Sequence, residues 1–421
     1  MKKVLQISSK SKVRKATAIL IIGNYDQTIT VIRSLAQAGY YVIVGCEDEQ
    51  AYTQYSRYTG EVWRHPDIKK SEEDFVAALV KFLTKSEDIA LIFPIGETDI
   101  ICLLRHMDAI PSSTKLVMAD PVTIEACFDK FHIYKIVSQL GVPLVKFRKV
   151  SDYAELESAM ARFGYPCVVK PNNSQTAFFE MKALILRTMA DLKRMLPVWP
   201  EGNEFLILQQ FASGYRHNCH FVADRGRLLA YFEQRVLRTD ERDGTGGGVD
   251  GISYAPTAKL RKYCALLAEK LNYSGVGCAQ FLVDNQNGTV SFLEINPRLD
   301  STCALPFYCG YDFPRMAVLH AEYRRGMLSE PPENSSPYPV GKHGVSLWRD
   351  VMGWSRAVKT GKLNLRESLG WLKEMALTFF HGDFHFTWSW TDPLPTFYRF
   401  SKLVPSALNH LARKIGLSWR H

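Results

Sequence analysis

The sequence of 421 residues has little of what marks secreted, membrane-spanning or zinc-binding proteins. Its nine cysteines form no Cys-x-x-Cys pair and mostly stand among apolar residues, as Cys102, Cys167 and Cys278 do. This pattern predicts reduced core thiols in a cytoplasmic protein, rather than a disulfide framework or a zinc site. No apolar run is as long as a membrane-spanning helix, and the N-terminus has no signal-peptide core, which favours the same location.

Several nucleotide and nucleic-acid motifs are also missing. The first apolar run ends at Gly23 without Gly-x-Gly-x-x-Gly, which argues against a dinucleotide site. The glycine-rich run from Asp243 to Val249 is not followed by Gly-Lys-Ser/Thr, so it is not a P-loop. Its composition is typical of a mobile lid or a plain linker. No nucleic-acid-binding motif is present, and we expect no nucleic-acid partner. The net charge of +9 does not by itself select a partner.

The length predicts two or three domains. Residues 1–15 are rich in lysine and arginine and are interpreted as a basic lead-in. Residues 16–125 alternate buried apolar strands with helices, which predicts a doubly wound, Rossmann-like α/β domain. Its strands are expected at Ala18–Gly23, Tyr40–Gly45, Ile89–Ile95 and Val117–Ala119.

Polar residues follow two of these strands, at 24–28 and at 97–99. Ligands of doubly wound sheets bind beyond the carboxyl ends of the strands, so these loops are candidate substrate contacts. The alternative is that Asp26 and Thr98 cap the helices that follow them.

The most informative stretch is a predicted hairpin with strands at 281–283 and 290–295. Glu294, Asn296 and Arg298 alternate, so their side chains share one face of an otherwise apolar strand. A carboxylate and an amide oxygen suit Mg²⁺, and a guanidinium suits phosphate. The alternative is an edge strand with a solvated polar side. Phe292 and Leu293 favour a buried strand, in which charged groups need partners.

Glu294-Ile-Asn-Pro-Arg298 resembles the metal-binding signature of the ATP-grasp superfamily. The order of Gly247-Gly248-Val249, then Tyr273-Ser274-Gly275-Val276, then this signature is similar to stand-alone carboxylate-amine-ligase-like members and to the carbamoyl-phosphate synthetase large subunit. The resemblance covers residues 16–320. It implies an α/β fold of the ATP-grasp type, with ATP between a small lobe (126–205) and a large lobe (206–325).

The resemblance also implies site residues and cofactors. ATP and Mg²⁺, or alternatively Mn²⁺, are the implied cofactors. Arg298 and Lys170 are the implied catalytic residues, and Gln280, Glu294 and Asn296 the implied metal ligands. The implied nucleotide-binding residues are Lys130, Lys170, Gln209, Gln210, Phe211, Ala212, Gly247 and Gly248.

Three positions depart from the family pattern. Gln209 and Gln280 stand where many relatives carry acids, and the loop after Lys170, residues 172–177, has no glycine.

The resemblance as a whole implies an ATP-dependent ligase that activates a carboxylate as an acyl phosphate and couples it to an amine or amino acid. Two alternatives are a bicarbonate-activating enzyme and an ATP-binding regulator that has lost catalysis.

Residues 326–421 form a basic, aromatic C-terminal extension that we expect to be mostly helical, with one helix at 406–415. Plain packing against the other domains is one interpretation, because aromatic residues are usually core residues. Peripheral membrane contact and a protein partner are the alternatives, and an oligomer is also compatible with the sequence.

Overall fold

A computed structural model describes residues 17–402 of the chain, except 87, 174, 177 and 180. The predicted basic lead-in at 1–15 and the predicted helix at 406–415 lie outside the described residues. The described chain builds three sheets, and each follows from a different pattern of apolar residues.

The first sheet is a doubly wound parallel sheet, as the sequence predicts. Its strands are β1 (Ala18–Ile22), β2 (Tyr41–Cys46), β3 (Glu61–Arg64), β4 (Ile89–Pro94) and β5 (Lys115–Leu116). The accompanying helices are α1 (Thr28–Gln37), α2 (Glu72–Lys85), α3 (Glu97–Arg105) and α4 (Pro121–Phe128). The strand order is β3-β2-β1-β4-β5, and β1 is fully buried because both faces of the sheet are covered. The strand predicted at Val117–Ala119 is wrong by two residues, since pairing with β4 ends at Leu116.

The second sheet is a small antiparallel sheet that carries Lys170. Its elements are α5 (Lys130–Gln139), β6 (Phe147–Val150), α6 (Tyr153–Phe163), β7 (Cys167–Pro171), β8 (Leu184–Leu186), α7 (Met189–Met195) and β9 (Leu206–Gln210). The strand order is β6-β9-β7-β8. Asp129 starts α5, because its carboxylate accepts a hydrogen bond of 2.7 Å from the backbone N–H of His132.

The third sheet has seven strands and forms the floor of the candidate site. Its first part comprises β10 (Tyr215–Asp224), β11 (Arg227–Thr239), β12 (Gly248–Tyr254), α8 (Ala258–Lys270), β13 (Gly275–Val283), β14 (Val290–Asn296), α9 (Ala304–Tyr308) and α10 (Phe313–Arg324). The C-terminal extension adds β15 (His343–Val345), α11 (Leu347–Lys359), α12 (Leu365–His381), β16 (Phe384–His385) and α13 (Leu394–Ser401). The order is β14-β13-β10-β11-β12-β15-β16, so the extension continues this sheet.

The extension also packs on the first domain through a buried ion pair. Arg33 Nε on α1 lies 3.0 Å from Asp392 Oδ2, and both side chains are almost fully buried. The same carboxylate accepts hydrogen bonds from the hydroxyl of Ser56 and the backbone N–H of Arg57. Plain packing therefore accounts for part of the extension, although Phe380 and Trp390 are exposed. None of the described helices combines the length and the apolar character needed to cross a membrane.

We predict that Asp392→Ala lowers the free energy of unfolding by about 3–5 kcal/mol, because it leaves the Arg33 guanidinium buried and unpaired. Urea unfolding followed by tryptophan fluorescence measures the change. Glu333→Ala is the matched control, since the Arg227–Glu333 pair is 2.6 Å long but more than half exposed. It should change stability by about 1 kcal/mol or less. Equal effects of the two substitutions would contradict a structural role for the buried pair.

Candidate functional site

The β13–β14 hairpin places a polar row on one face of the seven-stranded sheet. Gln280 lies opposite Glu294, Asn218 lies opposite Gln280, and Gln234 lies opposite Asn218. Four neighbouring strands thus contribute one polar side chain each, in register. Their neighbours along the strands, such as Phe281, face the opposite, apolar side.

Lys170 reaches this face from the small sheet. Its ammonium group donates a hydrogen bond to the hydroxyl of Tyr134 on α5. That hydroxyl in turn donates to the carbonyl of Leu293, next to Glu294, at 2.9 Å. Asn172 accepts hydrogen bonds from the backbone N–H groups of Lys130 and Phe131, which ties the loop after Lys170 to the start of α5.

Glu294 is the negative centre of a group of lysines. Burial alone would raise the pKa of its carboxyl, but Lys130, Lys182 and Lys170 together hold that pKa below its usual range. Asn296 adds a hydrogen bond of 3.2 Å to Glu294 Oε1. The structure therefore brings Lys130, Lys170, Glu294 and Asn296 together, although they lie far apart in the sequence.

Lys170 carries the most perturbed lysine environment of the site. Burial lowers its pKa to about 7, and the charge of Lys130 acts in the same direction, while Glu294 opposes both. With a pKa near 7, this lysine is partly uncharged at neutral pH, and an anion that binds beside it favours the charged form. The side chain is therefore suited to receive an anionic ligand.

Lys182 is a site residue that sequence reasoning missed. Burial is the main cause that lowers the pKa of its ammonium. Arg298, Arg349 and Arg216 lower it further, while Glu294 opposes the shift. Its surface is nevertheless exposed, so it stands in an open cleft between the sheets and not inside the core. Its position just before the short apolar strand β8 is the sequence feature that could have identified it.

A second missed group continues the alternation that begins at Glu294. Asp300 and Thr302 follow Arg298 at the same two-residue spacing. Asp300 Oδ1 accepts hydrogen bonds from the backbone N–H of Thr302 at 2.9 Å and from Asn218 Nδ2 at 3.2 Å. Burial would raise its pKa, but His220, Thr302 and Arg298 hold it at about 2. The period of two, followed beyond the strand, would have identified both residues.

The implied metal ligand Gln280 contacts this group, and the implied catalytic residue Arg298 interacts electrostatically with Asp300. Gln280 Nε2 lies 3.5 Å from Asp300 Oδ2. Arg298 is half-buried, and its Nη1 donates to the carbonyl of Leu299 at 3.2 Å. Its Nε is buried and makes no hydrogen bond with the described part of the chain. A buried donor of this kind has free hydrogen-bonding capacity for a ligand.

The implied adenine-binding stretch is the turn after β9. Gln209 is buried and Gln210 is exposed at the end of that strand. The backbone N–H of Gln210 donates to Lys146 O at 2.9 Å, and that of Phe211 donates to Pro166 O at 3.3 Å. Ala212 follows them, half-buried. Adenine recognition by this stretch stays a prediction, and in this structure these two N–H groups serve the small sheet.

The implied glycine loop spans residues 240–247, between β11 and β12. Gly247 N donates to Asp240 Oδ1 at 2.6 Å, and Asp240 N donates to Gly247 O at 3.0 Å. Gly248 begins β12 and lies opposite Thr239. The two ends of the loop are therefore joined by hydrogen bonds in this structure, and its use as a mobile lid stays a prediction.

In the first domain, neither Asp26 nor Thr98 caps the helix for which the sequence offered it as a cap. Asp26 does not cap α1, whose first residue follows Gln27, because two arginines hold its carboxylate. Thr98 lies within α3, and Asp99 accepts the hydrogen bond from Gly96 N at 2.9 Å. Burial raises the pKa of Asp99 to about 7. Both cap assignments are wrong.

The residues present fit a hard divalent cation. Among the described residues, no group of three or more His, Cys, Asp and Glu side chains is arranged so that it could hold a metal ion by itself. The donors at this site are instead one carboxylate and the amides of Asn296 and Gln280, the oxygen ligands that Mg²⁺ accepts together with water. The surrounding lysines supply charge for a polyphosphate.

Comparisons with known proteins agree with this geometry. The sequence model of the ATP-grasp domain matches residues 127–302. The arginine-specific large chain of carbamoyl phosphate synthase from Bacillus subtilis is 21% identical over 184 residues, which cover 43% of this chain and 17% of that protein. The chain thus spans about a sixth of that curated relative.

Solved structures of low sequence identity share the fold. Biotin carboxylase from Campylobacter jejuni superposes with a TM-score of 0.59 and 17% identity, over 78% of this chain and 74% of that one. The L-amino acid ligase from Bacillus licheniformis gives a TM-score of 0.56 and 15% identity, over 73% and 74%. The predicted ATP-grasp-type α/β fold is confirmed.

We predict that Lys170→Met changes how stability depends on pH. The unfolded lysine binds its proton more tightly than the folded one, so this group makes unfolding harder as pH rises above about 7. The free energy of unfolding of the unsubstituted protein, minus that of the variant, should rise by up to about 1.4 kcal/mol per pH unit. Urea titrations at successive pH values measure the difference. Lys262→Met, at an exposed position on α8, is the control. Parallel profiles for Lys170→Met and the unsubstituted protein would contradict the expectation.

Proposed function

Because the chain contains an ATP-grasp domain at residues 127–302, we propose that it is an ATP-dependent, ADP-forming ligase. It would activate a carboxylate and couple it to an amine or amino acid. The observation that carries the proposal is the convergence of Lys130, Lys170 and Lys182 on Glu294. Such a cleft holds a divalent cation and a polyphosphate at one place, and phosphoryl transfer depends mainly on this positioning and charge neutralisation.

The chain's own residues would divide the work as follows. Glu294 and Asn296, with Gln280, would hold Mg²⁺, which would supply positive charge to neutralise a polyphosphate. Lys130 and Lys170 would hold the phosphates. Arg298 would stabilise the activated carboxylate and the oxyanion that develops when the amine attacks.

The proposed reaction balances without an oxidant or reductant. A carboxylate oxygen takes the γ-phosphoryl group and ADP leaves. The amine nitrogen then forms a bond to the carbonyl carbon while the bond from that carbon to the phosphate oxygen breaks. Phosphate leaves, and the nitrogen loses a proton.

Activation of bicarbonate is the second candidate. Two comparisons favour it. A segment of this chain is similar in sequence to the arginine-specific large chain of carbamoyl phosphate synthase, and the chain shares its fold with biotin carboxylase. ADP release measured against separate pools of amino acids, small carboxylates and bicarbonate distinguishes the two. Release that needs both a carboxylate and an amine supports ligation, and release with bicarbonate alone supports the second candidate. ATP binding without turnover in any pool would identify a regulator that has lost catalysis.

The remaining partners and the location belong to the same proposal. All nine cysteines are buried free thiols, and the predicted cytoplasmic location rests on them. Oligomerisation, and membrane or protein contact through the extension, stay predictions. So do the domain boundaries at 125 and 325.

We predict that Arg298→Ala lowers turnover by several hundredfold and leaves ATP affinity within about a few-fold, because a lost oxyanion donor costs about 2.7–4 kcal/mol in the transition state. Steady-state ADP release gives the first quantity and calorimetric titration with ATP gives the second. Arg366→Ala, at an exposed arginine of α12, is the matched control and should retain full turnover. A loss confined to ATP affinity would assign Arg298 to nucleotide binding instead.

We predict that Gln280→Glu strengthens binding of a second divalent cation, because it restores a charge opposite Glu294 where the present amide supplies only an oxygen. Titration with Mn²⁺ in the presence of a non-hydrolysable ATP analogue, followed by electron paramagnetic resonance, counts the bound ions. Gln280→Ala should weaken that ion further. If the unsubstituted protein already binds both ions tightly and Gln280→Ala changes nothing, Gln280 has no role at the metal.

A further inference from the structure

The C-terminal extension reaches the glycine loop (residues 240–247) through helix α11. Arg356 Nε lies 2.9 Å from Glu241 Oε1, and Arg356 Nη2 lies 3.6 Å from Asp240 Oδ2. Lys362, just after the helix, lies 3.7 Å from Glu241 Oε2. Both acidic residues at the start of the loop are therefore paired with cations of the extension.

Arg349 connects three parts of the molecule. Its Nη2 lies 2.7 Å from Asp26 Oδ2 in the first domain, and its Nε donates to the same oxygen at 3.1 Å. Its Nη1 lies 3.7 Å from Asp240 Oδ2 in the glycine loop. One guanidinium of the extension thus holds the first domain and the loop together, and the two-pronged contact with Asp26 fixes its orientation.

Two glycines allow the close packing that this contact requires. A Cβ atom on Gly247 would overlap the Arg349 guanidinium, and a Cβ atom on Gly353 of α11 would overlap the carbonyl oxygen of Asp240. The glycine content of the loop therefore has a packing explanation in addition to flexibility. Arg216, on β10, supports the loop from the other side by donating to Gly246 O at 2.9 Å.

The clamped loop lies beside the candidate site. Arg349 interacts electrostatically with Lys182, which approaches the site from the small sheet, and with Asp300, which belongs to the polar group on the large sheet. A Cβ atom on Gly248, which directly follows the loop, would lie 3.3 Å from Thr302 Cγ2. Any displacement of the loop would therefore alter one wall of the cleft.

We propose that Arg349 is a positioning residue, through which the C-terminal extension and Asp26 hold the glycine loop against the cleft. The extension then belongs to the site as a structural lock, in addition to the catalytic groups of the two lobes. The inference that Arg349 holds the loop does not depend on the proposed function, whereas the expected effect of Arg349 on ATP binding rests on it.

The first test measures hydrogen exchange of the peptides that cover residues 240–247. Arg349→Gln should accelerate exchange there by about tenfold or more, because it removes the ion pair between Arg349 and Asp240 that opposes opening of the loop. Arg399→Gln is the matched control, since Arg399 lies 2.6 Å from Asp26 Oδ1 and, within the described chain, makes no ion pair with Asp240 or Glu241. It should leave loop exchange unchanged. Unchanged exchange in Arg349→Gln, or equal acceleration in both variants, would overturn the proposal.

A second variant keeps the test decisive if Arg349→Gln fails to fold. Gly353→Ala keeps every charge and favours the helix, but its methyl group displaces Asp240. Circular dichroism should show a native fold, while exchange of residues 240–247 accelerates. A folded Gly353→Ala protein with unchanged loop exchange would also overturn the proposal.

The third measurement separates positioning from a general loss of structure. Arg349→Gln should raise the KM for ATP about tenfold and lower kcat less, and Arg349→Lys should recover part of the loss because it keeps the charge. An equal fall in kcat with unchanged KM would contradict positioning of the loop over the nucleotide. If the unsubstituted protein neither binds nor hydrolyses ATP, the proposed function fails, while the exchange experiment still decides whether Arg349 holds the loop.

Discussion

The interaction on which the site depends is the attraction between one half-buried carboxylate on the large sheet and three lysines that the chain brings from the small sheet and its neighbouring elements. Without its lysines, Glu294 would have a raised pKa, and without Glu294 the lysines would repel one another in a confined space. The cations nevertheless outnumber the acids that face them, since Lys182 is additionally surrounded by three arginines. This surplus is the physical basis for expecting an anionic ligand between the sheets.

The large sheet makes the arrangement possible because its strand pairings align one polar residue from each of four strands. Gln234, Asn218, Gln280 and Glu294 come from four strands whose pairings place them in one row, and Asp300 holds two of them through hydrogen bonds. A shift of one residue in any pairing would turn that strand's polar side chain into the apolar core. The strand pairing that buries the apolar face of the sheet therefore also aligns the side chains of the polar face.

Local patterns predicted the parts of the site that depend on neighbouring residues. The hairpin at β13–β14 and the lysine at the end of β7 follow from periodicity and apolar runs. A helix cap is the local alternative for Asp26, and it is wrong because the partners of Asp26, Arg349 and Arg399, lie more than 300 residues away. No local pattern indicates a contact of that separation. Asp300 is different: the alternation from Glu294 continued to it and could have been followed.

The C-terminal extension shows why composition alone could not separate packing from surface contact. Its aromatic residues divide between a buried Trp371, which donates to Asp350 at 2.7 Å, and an exposed Trp390. Asp350 also binds Arg238 of β11, so the same carboxylate joins α11, α12 and the large sheet. Because β15 continues that sheet beside β12, the strand that closes the glycine loop has the extension as its neighbour. Removing the extension would therefore expose β12, the strand that follows the glycine loop, as an unpaired edge of the sheet.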